Sequence, residues 1–326
     1  MALPCGDAVE RVNLSTSDEI VILIPVFNDW ASLASLIENI DGTAGGTGAR
    51  VLVIDDGSTE PATRLKGISA SHLGPVEVLE LQRNLGHQRA IAIGLSYVAA
   101  NLIPRAVVVM DGDGEDAPED VPRLLAELDR TADTAAVFAE RRRRSERWLF
   151  RLGYHAYRLI HRALTGYPVK IGNFSVLPSR LLSSVVVSSD LWNHYAAAVV
   201  RAKVPITTIA TTRAERITGQ SKMSIVSLVV HGFSAIAVFG DRVAVRLLSA
   251  AGILLLTYSA AVAVVLALDV GALSRAALIA MSWGVVQLLV TLLVLVLLML
   301  GARDQSGFIP LRDHAVFVRR VWAVGE

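Results

Sequence analysis

The sequence has a single cysteine, Cys5, which rules out an internal disulfide and fits a reducing compartment. Net charge is nearly absent. Lys+Arg 31 against Asp+Glu 30 leaves +1, a balance that gives no reason to expect a nucleic-acid partner. Between Met1 and Ile20 there is no apolar run, only interspersed acidic and polar residues, so no signal peptide is expected there. Charge is also missing from two stretches near the other end, Leu247 to Leu268 and Ala276 to Leu300. They account for a chain that is 53% hydrophobic with a mean hydropathy of +0.50, too apolar for an ordinary soluble enzyme.

Each of these two stretches is long enough to cross a hydrocarbon core, which needs roughly 20 residues. The short connector Asp269 to Arg275 makes them a transmembrane hairpin (247–300). Arg242 and Arg246 precede it, Arg303, Arg312, Arg319 and Arg320 follow it, and the connector offers only Arg275. This bias places the N-terminal part and the tail (301–326) in the cytoplasm.

The stretch Val107-Val108-Val109-Met110-Asp111-Gly112-Asp113-Gly114-Glu115-Asp116 turns from a β-branched run to acid and glycine. Such a run reads as a buried strand, and ligands of open α/β sheets bind beyond the carboxyl ends of strands. Asp111, Asp113 and Glu115 on alternate residues can converge on a hard cation, Mg²⁺ or Mn²⁺. A solvated acidic turn ahead of a helix starting near Pro118 is the competing reading. Strands are expected over Ile20–Phe27, Arg50–Ile54, Val76–Leu81 and Thr134–Ala139. Helices are expected over Trp30–Ile40, from about His87 to Asn101, and over Pro118–Arg130, with Gly42–Gly48 as a flexible loop. Regular alternation implies an α/β, doubly wound, mostly parallel sheet. Its strand ends carry Asp55-Asp56-Gly57 and Asn84-Leu85-Gly86, both also ordinary turn sequences.

Ile24-Pro25-Val26-Phe27-Asn28, Val53-Ile54-Asp55-Asp56-Gly57-Ser58-Thr59, Arg83-Asn84-Leu85-Gly86-His87 and Met110-Asp111-Gly112-Asp113 occur in that order. The set resembles the nucleotide-sugar-binding domain of family 2 glycosyltransferases. More narrowly, it is similar to membrane-anchored dolichol- or polyprenyl-phosphate glycosyltransferases. Asp29 stands where that family usually has Glu, and Gly114-Glu115 where many members have Leu-Gln. The resemblance implies a GT-A (Rossmann-like) domain over 20–222 after an extension, 1–19. It implies that Pro25, Phe27 and Asn28 line the nucleoside pocket, that Asp56 hydrogen-bonds base or ribose, and that Asp111 and Asp113 hold the metal on the diphosphate. Arg83 could assist at the phosphates or be a surface residue.

Arg141-Arg142-Arg143-Arg144 opens a segment (141–166) with Arg151, His155, Arg158 and Arg162 on one helical face. Leu149, Leu152, Ala156, Leu159, Ile160 and Ala163 occupy the other, as in an amphipathic helix on an anionic membrane, the competing reading being a helix packed on the sheet with a solvated basic side. Ile171 to Val176 resembles the family's acceptor-side segment. Arg216, Gly219, Ser221 and Lys222 match its Arg-x-x-Gly-x-Ser-Lys loop, with cations suited to phosphate oxygens. Residues 223–246 read as a second interfacial helix, since spanning there would invert the arginine bias. The function implied is metal-dependent, inverting transfer of a sugar from a nucleotide-diphosphate donor to a polyprenyl phosphate. An anionic acceptor needs no strong base. Asp190 or His194 would serve if the acceptor were a glycolipid or saccharide hydroxyl, and a non-catalytic membrane adaptor is the third reading.

Overall fold

Strand alternation divides the core in two. In β1 (Ile20–Val26) every residue is buried. Val21 and Leu23 enter one apolar cluster, and Ile20, Ile22, Ile24 and Val26 the opposite one. A strand covered on both faces must be apolar throughout, which explains its near-continuous run. The computed structural model describes residues 18–325 apart from 66, 69, 142–147, 169–170, 213, 215, 218–224, 268–270 and 303–307. Strands β2 (Arg50–Asp55), β3 (Val76–Leu81), β4 (Ala106–Val109), β5 (Ala136–Arg141), β6 (Ser175–Pro178), β7 (Ile206–Thr211) and β8 (Val318–Ala323) complete the sheet. Its order is β7-β5-β6-β4-β1-β2-β3-β8. Only β6 and β8 run against the rest: β6 lies antiparallel between β4 and β5, and β8 pairs antiparallel with β3.

Helices α1 (Trp30–Ala44) and α3 (Asp120–Arg130) cover one face. Helices α2 (His87–Asn101), α5 (Ser179–Val186) and α6 (Tyr195–Arg201) cover the other. The loop expected over Gly42–Gly48 is mostly helical: α1 runs to Ala44 and a 3₁₀ turn takes Gly45–Thr47. Burial of Ala44 and the close approach of His72 to Gly45 hold that turn down. Helix α3 starts at Asp120, two residues after Pro118.

Helix α4 (Trp148–Thr165) packs on α7 (Ile225–Ala237) and α8 (Gly240–Ala267). The Tyr157 hydroxyl donates to the Gly232 carbonyl at 3.2 Å. Arg246 caps the end of α4, donating to the carbonyls of Arg162 (3.3 Å) and Ala163 (2.6 Å). Leu159 and Ile160 of the apolar face remain 71% and 52% exposed, next to exposed Arg158 and Arg162. The inward stripe is instead Tyr157, His161, Leu164 and Thr165, which belongs to neither expected face.

Helix α8 begins at Gly240, seven residues before the expected span, and the segment expected as one helix over 223–246 is divided between α7 and the start of α8. With α9 (Ala272–Ala302), α8 forms an antiparallel pair, and the apolar stretches Gly240–Val265 and Ala276–Leu295 stand largely exposed beyond the buried Val243 and Ala244 at the base of α8. Tyr258 donates to the Leu278 carbonyl at 3.1 Å and meets the Ser282 hydroxyl, which pins the pair together. The stretch expected as a tail folds back: α10 (Pro310–Asp313), a 3₁₀ turn at His314–Phe317, and then β8. Phe308 and Phe317 pack on Trp192 with ring centroids 4.2 and 5.1 Å away. Both outer ends of the hairpin therefore rejoin one domain.

Candidate active site at the ends of β1 and β4

The chain leaves β1 for β2 on one side, while β4 lies on the other, so the ends of β1 and β4 frame a switch-point crevice. Pro25, Val26, Phe27, Asp56 and His87 line a small open cleft there. Phe27 is 43% exposed at its lip. Asn28, in a left-handed conformation (φ 51°), ties the end of β1 to the loop after β2. Its amide oxygen accepts N–H bonds from Thr59 (2.9 Å) and Glu60 (3.1 Å), and its own N–H donates to the Ser58 hydroxyl at 2.9 Å.

Asp56 is buried. Its two oxygens accept the backbone N–H groups of Leu85 (2.7 Å) and Gly86 (2.8 Å). Burial raises its pKa to about 6 despite those bonds. Gly57 (φ 69°) is required, because a Cβ there would lie 2.5 Å from the Arg83 carbonyl carbon. Together these contacts join the two turns and aim the start of α2 at the acidic strand end. Arg83 stands exposed on that turn.

At the end of β4, the backbone N–H of Asp111 donates to the buried Asp116 carboxylate at 3.0 Å. Asp113 accepts the Glu115 N–H at 3.0 Å, and Gly114 (φ 79°) turns the loop beneath Ile217. The segment after β7 docks on this loop. Ala214 N–H donates to the Glu115 carbonyl (3.1 Å) and Ile217 N–H to that of Asp113 (3.2 Å). Arg216 lies 2.6 Å from the Asp113 carboxylate and 3.6 Å from that of Glu115. Three of the expected residues thus meet through the Arg216 guanidinium. Lys222, Gly219 and Ser221 lie outside the described residues.

The sequence reading assigned no role to His87. Its Nε2 lies 3.1 Å from the Asp111 carboxylate and 3.0 Å from the Asn173 amide nitrogen. Its side chain is 41% exposed; desolvation of the ring opposes protonation, but Asp111, then Asp113 and Asp56, raise its pKa above the ordinary imidazole value. The Tyr195 N–H donates to Gln88 Oε1 at 2.7 Å, which turns the Gln88 amino group toward Asn173 Oδ1 at 3.2 Å. The Asn173 amino group is thereby directed at His87, in competition with Asp111 for the same nitrogen. The available signal was a histidine opening a helix directly after Asn84-Leu85-Gly86.

Asp190 is engaged elsewhere, 2.7 Å from Arg201 Nε. His194 is buried, accepts the Ala197 N–H at the start of α6, and stacks on His231 with centroids 4.8 Å apart. Burial, then the neighbouring His231, lowers its pKa to about 3. Among the described residues no three His, Cys, Asp or Glu side chains already enclose an ion position. The donors suit a cation that takes one or two carboxylates and completes its shell with phosphate oxygens and water.

A match to the family described as Glycosyl transferase family 2 spans residues 21–183. The chain belongs to this family. Two relatives are named undecaprenyl-phosphate 4-deoxy-4-formamido-L-arabinose transferase. The one from Klebsiella pneumoniae is 32% identical over 130 residues, 39% of this chain and 38% of that protein. The one from an Enterobacter species is 31% identical over 149 residues, 45% and 43% of the two chains. The match therefore spans about two-fifths of these relatives' length. The fold is also similar to that of glucosyl-3-phosphoglycerate synthase from Mycobacterium tuberculosis, solved with Mn²⁺, UDP-glucose and phosphoglyceric acid. It is 20% identical, with TM-score 0.50 over 69% of this chain and 80% of that one. A second mycobacterial protein is 19% identical, with TM-score 0.52 over 69% and 74%. At such identities the likeness establishes the fold alone.

Proposed function

We propose that this family 2 chain transfers a sugar, with inversion, from a nucleotide-diphosphate donor to a polyprenyl phosphate at the cytoplasmic face of a membrane. One observation carries the reading: an acidic strand end in a switch-point crevice belongs to a domain from which an apolar hairpin leaves and to which it returns. The names of the Klebsiella and Enterobacter relatives support the acceptor class. The Mn²⁺ in the mycobacterial synthase supports a divalent cation. Arginines at both outer ends of the hairpin support a cytoplasmic domain. Exposed Leu159 and Ile160 beside Arg158 and Arg162 support α4 as a contact with an anionic membrane surface.

Asp111 and Asp113 would hold Mg²⁺ or Mn²⁺, with Glu115 beside them. The ion would supply Lewis-acid neutralisation of the departing diphosphate. Phe27 and Pro25 flank the space for the nucleoside, and Asp56 has acceptor capacity left for base or ribose. Arg216 and Lys222 bring positive charge to phosphate oxygens, and Arg83 adds to it at the neighbouring turn. A phosphate acceptor is already anionic, so the site has to position and screen charge more than remove a proton. The candidate bases for a hydroxyl acceptor are otherwise engaged: Asp190 pairs with Arg201, and His194 caps α6.

The test incubates membranes holding the chain with polyprenyl phosphate and a panel of radiolabelled nucleotide sugars. One donor should label the lipid extract, and only when polyprenyl phosphate is added. Label in saccharide or glycolipid, with none in prenyl phosphate, would overturn the acceptor class.

A further inference from the structure

The α8–α9 seam is formed by one side of each helix. On α9 the half-buried positions are Leu278, Ser282, Val285, Leu289, Leu292 and Leu295. Gln287 lies two residues from both Val285 and Leu289, about 200° round the helix from each, and so points directly away from α8. It is exposed, near the middle of the apolar window Ala276–Leu295. The Ser282 hydroxyl is satisfied by the Leu278 carbonyl (2.8 Å) and the Thr291 hydroxyl by the Gln287 carbonyl (2.8 Å). The Gln287 carboxamide meets no polar group among the described residues. On the same stripe Gly284 has open space where a Cβ would stand, so another backbone could approach closely.

We propose that this stripe of α9 is a self-association surface, in which Gln287 of one copy hydrogen-bonds Gln287 of a second copy beside Gly284. Symmetry favours a second copy as the occupant. Two copies inserted in the same direction are related by a two-fold axis along the membrane normal, which brings equal depths, and therefore equal residues, together. A carboxamide is both donor and acceptor, so it complements itself. A polyprenyl tail offers no polar atom to meet it. The seam with α8 occupies the opposite side, so the hairpin need not open. The inference rests on α8 and α9 spanning the membrane.

The experiment uses the full chain in lipid vesicles, with donor or acceptor fluorophores on Cys5, its only cysteine. Energy transfer is followed as lipid is added, against a random-mixing control. Wild type should show transfer above that control. Gln287→Leu should need about tenfold more protein per lipid for the same transfer, and Gln287→Asn should keep most of it. Wild type no better than random mixing, or Gln287→Leu equal to wild type, would overturn the proposal and leave the glycosyltransferase reading untouched. Resistance to alkaline extraction is measured on the same vesicles. Protein extracted by alkali would overturn the spanning hairpin and this surface with it.

Discussion

Asp113 and Asp56 are two carboxylates with opposite surroundings, and they lead to different expectations. Asp113 faces Arg216 in a loop beyond the strand, outside the packed core. Asp113→Asn keeps the acceptor for the Glu115 N–H but removes the charge, so the fold should survive. Transfer should fall by about a thousandfold, as for loss of a charged metal ligand. The check is the transfer rate against Mn²⁺ and Mg²⁺ concentration for both proteins, with EDTA as the blank. Full activity in EDTA would reduce this loop to an acidic turn. Asp56 is an acid whose pKa rises from the ordinary 3.8 to about 6 on folding. The folded state therefore keeps a proton that the unfolded chain releases. Its contribution to stability falls as pH rises from about 4 through 6 and is constant above that. The swing is on the order of 3 kcal/mol. Asp56→Asn should remove it while leaving one backbone N–H facing an amino group. In thermal unfolding across pH 4–7, the stability of wild type relative to the variant should be greatest at the acid end and fall as pH rises through 6. A gap independent of pH would refute the shift.

At the scale of elements, the decisive joint is Arg201 at the end of α6. It lies 2.7 Å from Asp190 and 2.9 Å from Asp241 at the start of α8, and it donates to the Val238 carbonyl at 2.6 Å. A single guanidinium thus connects the sheet domain to the first of the two long apolar helices. Arg201→Ala should cost on the order of 1–3 kcal/mol, and Arg201→Lys should restore only part, since an ammonium cannot present the same fork to both acids. Unfolding temperatures in detergent, with proteolysis of the α7–α8 corner, would measure this; an unchanged profile would mean the joint is held by apolar packing alone. Nothing in the linear order marks the joint, because its partners are separated along the chain and each reads as an ordinary surface charge. Strand β8 was hidden for a related reason. It is short and carries Arg319 and Arg320, which reach Glu80 at 2.8 and 2.7 Å. Charge of this kind is typical of an edge strand and also typical of a tail.

For the whole molecule, the pairing of β8 with β3 requires both outer ends of the hairpin to lie on one side of any membrane the hairpin crosses. Reporters placed before Ile20 and after Glu326 should agree, and one at Gly271 should report the opposite side. A shared signal at all three positions would sink the hairpin.

The parallel sheet, the acidic strand end and the apolar hairpin were legible in the sequence because each rests on local periodicity or on uninterrupted composition. Val107 to Asp116 contains its own strand, turn and acids, and Ala276 to Leu300 its own length. Tertiary structure decided everything that depends on which distant groups meet. It set Arg216 on Asp113 and drew Asp190 to Arg201. It placed His87 between Asp111 and Asn173, and it turned a basic C-terminal stretch into the last strand of the sheet. Hydrophobic pattern fixes how a segment buries itself, whereas the partner of a charged side chain is set by where the chain returns in space, which no local pattern records.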